Sequence, residues 1–210
     1  MRRIAVIALL LIAGISSGLI LARSLGTTVI DGRRFVTQLR QDSMLIDGQW
    51  RWREIYPGRD SMEYARLLMD RNNQGFFSSI TGSPENRIDW ISDSGWSGQV
   101  FRDNEVPPPH VYSVVLRAPY ALPADVQPPL IFGEALLAYG SPRWSYYVDG
   151  STRSICFRYG VCATVDIRGT QRLSPWQRIL SLSYLPVATI DRDRRNIAVN
   201  AWRGFTTYSP

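Results

Sequence analysis

The strongest pattern in the chain is an unbroken apolar run. Residues Ile4 to Ala22 carry no charge over 19 positions, with Arg2 and Arg3 before them and Arg23 after. A helix of that length spans about 28 Å, close to the roughly 30 Å hydrocarbon core of a bilayer. The basic N-terminal flank holds the N-terminus in the cytoplasm by the positive-inside rule. The pattern therefore predicts a single-pass protein of the cell membrane whose C-terminal domain is extracytoplasmic. Residues 1–25 form the cytoplasmic stub and transmembrane signal-anchor, with the lipid bilayer as partner through residues 4–22, and residues 26–48 form a juxtamembrane linker. A cleaved signal peptide shares this topology, and Ala22-Arg23-Ser24 supplies a loose exit site, but the apolar core exceeds the roughly 7–15 residues usual for one. Gly14 and Gly18, with Ser17 beside them, offer a helix-packing face.

Beyond the linker the periodicity alternates between helix and strand. Phe35, Val36 and Leu39 fit either one helical turn or a short strand. Met62, Ala65, Leu68 and Met69 mark a helix packed on one face. Asp60 is its expected N-cap and Glu63 completes a capping box, while Asn72 to Gly75 end it. Ile88–Ile91 and Gly98–Phe101 then read as strands around a turn, and Val111–Arg117 as another. A second helix is expected over Ile131–Tyr139, closed by Gly140 in the left-handed region. Strands follow at Trp144–Val148, Arg153–Phe157, Val161–Arg168, Ile179–Leu185 and Ile197–Phe205. The expected fold class is α+β, an N-terminal transmembrane helix followed by a β-rich domain of two tandem helix-plus-antiparallel-sheet units. The first unit covers residues 49–118, a Pro-rich linker 119–129, and the second unit 130–210.

Composition adds little that discriminates. Hydrophobic residues make up 45% and charged residues 20%, which is globular rather than disordered. All 24 basic residues are arginine. They are scattered and locally paired with acids, as in Asp191-Arg192-Asp193-Arg194-Arg195, so the pI near 9.7 implies no nucleic-acid partner. It permits attraction to anionic polymers without demanding it.

The run Phe132-Gly133-Glu134-Ala135-Leu136-Leu137-Ala138-Tyr139-Gly140-Ser141-Pro142, followed by Tyr146-Tyr147 and a hairpin, resembles the helix, LG-x-P turn and aromatic strand of BamE/SmpA-like and β-lactamase-inhibitor-like modules. The Pro57-Gly58 turn before a capped helix with Glu63 and Ala65 is similar to uncharacterised membrane-anchored bacterial proteins that carry such a module. The resemblance implies partner binding rather than chemistry. Phe-Gly stands here in place of the usual Gly-Met-Thr, and the acylated cysteine of BamE-type lipoproteins is absent, so no functional residue carries over.

The two cysteines carry the sharpest chemistry. Cys156 and Cys162 flank a hairpin with a three-residue loop, Arg158–Gly160, in which Gly160 takes the left-handed position. Phe157 then faces Val161, and Cys156 faces Cys162 in the next, closely spaced pair, within disulfide reach. Two free buried thiols are the alternative, and a metal site lacks further ligands. His110 is the sole histidine and sits after three prolines, so no catalytic residue is nominated from it. Ser94-Gly95-Trp96-Ser97-Gly98 reads as a turn rather than a nucleophile elbow. Trp50 and Trp52 share one face of a strand, either as a possible aromatic binding surface for sugar rings or lipid headgroups, or as core. No cofactor or metal is implied. The expected role is a membrane-anchored extracytoplasmic, non-enzymatic binding or scaffolding protein. The alternatives are an accessory subunit of a larger membrane complex held through the anchor helix, and a cell-envelope glycan-binding or glycan-cleaving protein.

Overall fold

The computed structural model describes residues 41–71, 77–92, 96–103, 110–117, 130–168, 172–193 and 200–205. Two short strands come first, β1 (Ser43–Ile46) and β2 (Gln49–Trp52). They are joined by Asp47-Gly48, whose φ angles of 52° and 73° are those a two-residue hairpin turn demands. A second tight turn follows at once: Trp52 and Ile55 exchange backbone hydrogen bonds around Arg53 and Glu54, at φ 46° and 70°. β1 thus begins inside the stretch expected to be linker.

Helix α1 spans Met62–Arg71 and buries Met62, Ala65, Leu68 and Met69. Its cap lies one residue later than the sequence suggests. Ser61 Oγ accepts the Tyr64 N–H at 3.1 Å, whereas the Asp60 carboxylate accepts the Tyr56 N–H at 2.6 Å and shapes the preceding turn instead. The strands β3 (Phe77–Ser83), β4 (Arg87–Ser92), β5 (Ser97–Arg102) and β6 (Val111–Arg117) form a meander. Helix α2 (Phe132–Tyr139) precedes a second meander, β7 (Pro142–Tyr147), β8 (Thr152–Phe157), β9 (Val161–Asp166) and β10 (Ile179–Tyr184). α3 (Val187–Asp193) and the two-residue β11 (Asn200–Ala201) follow.

The expected α+β fold of two tandem units is overturned. Both meanders belong to one nine-stranded antiparallel sheet in the order β11-β7-β8-β9-β10-β6-β5-β4-β3, and helix is the minor component. The joint is β6 against β10, with Leu116 opposite Leu182 and Val114 opposite Tyr184. The physical reason lies in β6 itself. Val111, Val114 and Leu116 are buried, and Tyr112 and Val115 on the other face are half-covered, the mark of an interior strand rather than the border of a unit.

One face of the sheet carries the core. A row of paired residues, Trp90, Gly98, Leu116, Leu182, Ala163 and Ile155, crosses it from β4 to β8. It joins a single cluster with the buried residues of α1 and with Phe132, Ala135 and Tyr139 of α2. Gly98 is where the row needs a glycine: a Cβ there would overlap both the Trp90 indole and the Val115 carbonyl oxygen. The Trp90 ring lies across the gap, stacked at 5.1 Å on Trp52 and edge-on to Phe77.

The membrane placement also needs correction. Among the described residues no helix is long and apolar enough to cross a membrane. α1, with 10 residues, spans only about 15 Å, half of a hydrocarbon core. Residues 4–22, with Gly14 and Gly18, lie outside the described residues, so the single-pass anchor and the topology built on it are unsupported.

Candidate functional site

Three segments far apart in sequence meet around an open groove of about 350 Å³. They are the β1–β2 turn (47–49), the turn before α1 (56–59) and the start of α3 (186–188). The Gln49 side chain ties them together. Its Nε2 donates to the Pro57 carbonyl at 2.8 Å, and its Oε1 accepts the Val187 N–H at 3.5 Å. Buried polar groups carry a cost unless bonded, and Gln49, only 9% exposed, is bonded on both ends of its amide.

Gly58 sits at φ 84°, where a Cβ would come within 2.9 Å of Pro186, so the two walls touch through a glycine and a proline. The Tyr56 ring is buried and has two guanidinium groups over it, Arg51 at 4.1 Å and Arg59 at 4.5 Å from its centroid. Arg59 also pairs with Asp47 at 3.2 Å, and both of these side chains are 61% exposed. An exposed pair of this kind stabilises little, so its charges remain exchangeable for those of a ligand. The groove therefore has an apolar proline and valine wall, a rigid floor, and one positive and one negative group on its rim.

Next to it, the Asp60 carboxyl lies within electrostatic reach of Arg51 and His110. Burial raises the Asp60 carboxyl above its ordinary value, against the opposing pull of the Tyr56 N–H and the charges of Arg51 and His110. His110 is held by a β-bridge to Ser61 and by its carbonyl, which accepts the Asp103 N–H at 2.8 Å. It is a stitch between strands. Further into the core, three hydroxyls meet. Tyr184 lies 2.6 Å from Tyr139 and 2.7 Å from Ser43, joining β1, α2 and β10. Burial raises the pKa of both tyrosines. Glu134, in the first turn of α2, is pushed up to about 7, chiefly by burial and against the Ile131 N–H that its carboxylate accepts.

Cys156 and Cys162 form a disulfide between directly opposed positions of β8 and β9. Ile155, Phe157, Val161, Ala163 and Val165 lie in the core cluster, and Gly160 takes φ 88°. Trp50 and Trp52 do share a face, but it points inward. Trp52 is 2% exposed, and Trp50 packs edge-on against Tyr139 at 5.3 Å, so Trp52 offers no flat surface to a sugar ring. Ser94 and Gly95 fall outside the described residues. Among those described, no three His, Cys, Asp or Glu side chains are grouped to hold a metal ion. The groove itself went unread in the sequence, although Asp47-Gly48 between two short apolar runs is the standard signature of a hairpin.

No family model, curated protein or solved structure matches the chain.

Proposed function

We propose that this chain is a non-enzymatic binding or scaffolding protein that receives a partner's peptide segment in the groove between the β1–β2 turn, the Tyr56–Arg59 turn and α3. The observation that carries this reading is the groove's construction. Its floor is fixed by the two-ended Gln49 bridge, while its rim keeps Asp47 and Arg59 exposed and only weakly committed to each other. Rigid floors lower the ordering cost of binding, and rim charges steer and orient a ligand.

Arg59 tests the reading directly. Replaced by a photoreactive phenylalanine analogue in the full chain in cells, this position should yield a discrete cross-linked partner. The same probe at Arg87, exposed on β4, should not yield that adduct. Absence of any adduct at position 59, or the same adduct from both positions, refutes groove-borne binding.

A further inference from the structure

The two edges of the sheet are finished differently. At one end β11 is only two residues long, and Trp202 and Phe205 behind it pack against Phe132 at 5.7 and 6.1 Å. At the other end β3 runs for seven residues, Phe77–Ser83, and among the described residues no strand covers its outer side. Edge strands are usually blunted by charge or proline. β3 carries neither, in a chain with 20% charged residues. A register shift between Phe77 and Ser79 and the positive φ of Gly82 disturb its ends, leaving Ser79-Ile80-Thr81 as a regular centre.

We infer that β3 is a homodimer edge, at which a second copy of this chain adds its own β3 antiparallel about a two-fold axis through Ile80. Four observations select a second copy over an unrelated strand. In this register Ser79 faces Thr81 of the other copy and Ser78 faces Gly82, so no like charges meet, and hydroxyl pairs of this kind favour strand pairing. Ile80 lies on the core face opposite Trp90 and is only partly buried, and its symmetry mate extends the core over it. Arg66 of α1 reaches the Gly82 carbonyl at 3.4 Å, which places that side of α1 beside the β3 edge. That flank of α1 carries the ion pair Arg66–Asp70 at 3.0 Å. Two antiparallel copies of α1 set Arg66 against Asp70 of the other copy twice over. An isologous contact requires such self-complementarity. Because the contact consumes both β3 edges, it closes at two copies instead of growing into a fibre. One strand pair and one helix flank make a small interface, so the dimer forms at micromolar concentrations or above.

The test uses the full-length protein, with its mass read by light scattering across a concentration series. Wild type should pass from one copy to two. Arg66→Asp sets a new carboxylate against Asp70 of the other copy and should weaken dimerisation at least about tenfold, whereas Arg66→Asp with Asp70→Arg restores the complementary order and the dimer. Neither side chain belongs to the buried stripe of α1, so the fold survives either change. A mixture of Ser79→Cys and Thr81→Cys proteins, oxidised gently, should cross-link to each other in preference to themselves, because those positions are opposed. A single-copy mass at all concentrations, a dimer indifferent to Arg66→Asp, or no preference for the mixed cross-link overturns the proposal.

Discussion

Glu134 makes the stability of this protein depend on pH near neutrality. Glu134 is a buried residue, and burial raises its carboxyl from 4.5 to about 7, against the Ile131 N–H that favours its ionised form. Because the folded value lies above the unfolded one, the folded chain retains a proton that the unfolded chain has already released. The stabilisation is complete below about pH 4.5 and is lost as pH rises through about 7. At about 1.4 kcal/mol per pH unit the gap sets a ceiling of about 3 kcal/mol. The first turn of a short helix leaves solvent nearby to screen the charge, so about 1–2 kcal/mol is expected. Glu134→Gln keeps an acceptor for the Ile131 N–H and removes the titration. Urea unfolding between pH 4.5 and 8 should show variant and wild type nearly equal at the acid end, with the variant more stable by about 1–2 kcal/mol at pH 8. Asp42 and Asp60, also raised by burial, act alike in both proteins and cancel in the difference. Parallel curves across the whole range would refute the reasoning.

Gly98→Ala drives a methyl group into the Trp90 indole and the Val115 carbonyl. It should cost about 1–3 kcal/mol in thermal or urea unfolding, and an unchanged midpoint would contradict the packing described. Tyr184→Phe removes the hydroxyl shared by Ser43 and Tyr139 and should cost about 1–3 kcal/mol. Tyr139→Phe at the edge of the same triangle should cost less, and the reverse order would place the hub elsewhere. Replacing both Cys156 and Cys162 by alanine opens a loop whose ends lie only 6 residues apart. Chain entropy then predicts a loss of about 2 kcal/mol with the fold retained. Alkylation of the denatured, unreduced wild type should find no free thiol.

Strands whose polarity alternates cleanly are legible in the sequence, because one wet face and one dry face leave a period of two. β4 shows it, with Ile88 and Trp90 inward and Arg87 and Asp89 outward, as does β9 around Val161, Ala163 and Val165. β3 is illegible for the opposite reason. Ser78, Ser79, Thr81, Gly82 and Ser83 carry no apolar alternation, since a sheet edge needs little burial. The helices are found by their stripes, but the cap of α1 is misplaced because Asp60 and Ser61 are adjacent and both suit the role. Only the Asp60 hydrogen bond to Tyr56 decides between them, and that bond depends on how the turn folds back.

Which elements become neighbours depends on contacts that no periodicity records. The β1–β2 hairpin spans the joint between the two meanders. Trp52 stacks on Trp90 in the first, whereas Ser43 meets Tyr184 in the second and Trp50 meets Tyr139 of the helix α2 that leads into it. The Trp50 N–H donates to the Tyr159 carbonyl at 2.8 Å, which pins the β8–β9 loop to the hairpin. Each contact joins residues from about 40 to over 140 positions apart, so each forms only after the loops between them have closed. The groove inherits this dependence. Gln49 holds two walls that lie outside the sheet and about 130 positions apart, the turn before α1 and the start of α3, and its partners, a proline carbonyl and a helix-start N–H, are backbone groups that any sequence would present. A glutamine between a turn and a tryptophan therefore carries no visible signal of its role, and only the closed sheet turns it into the floor of a site.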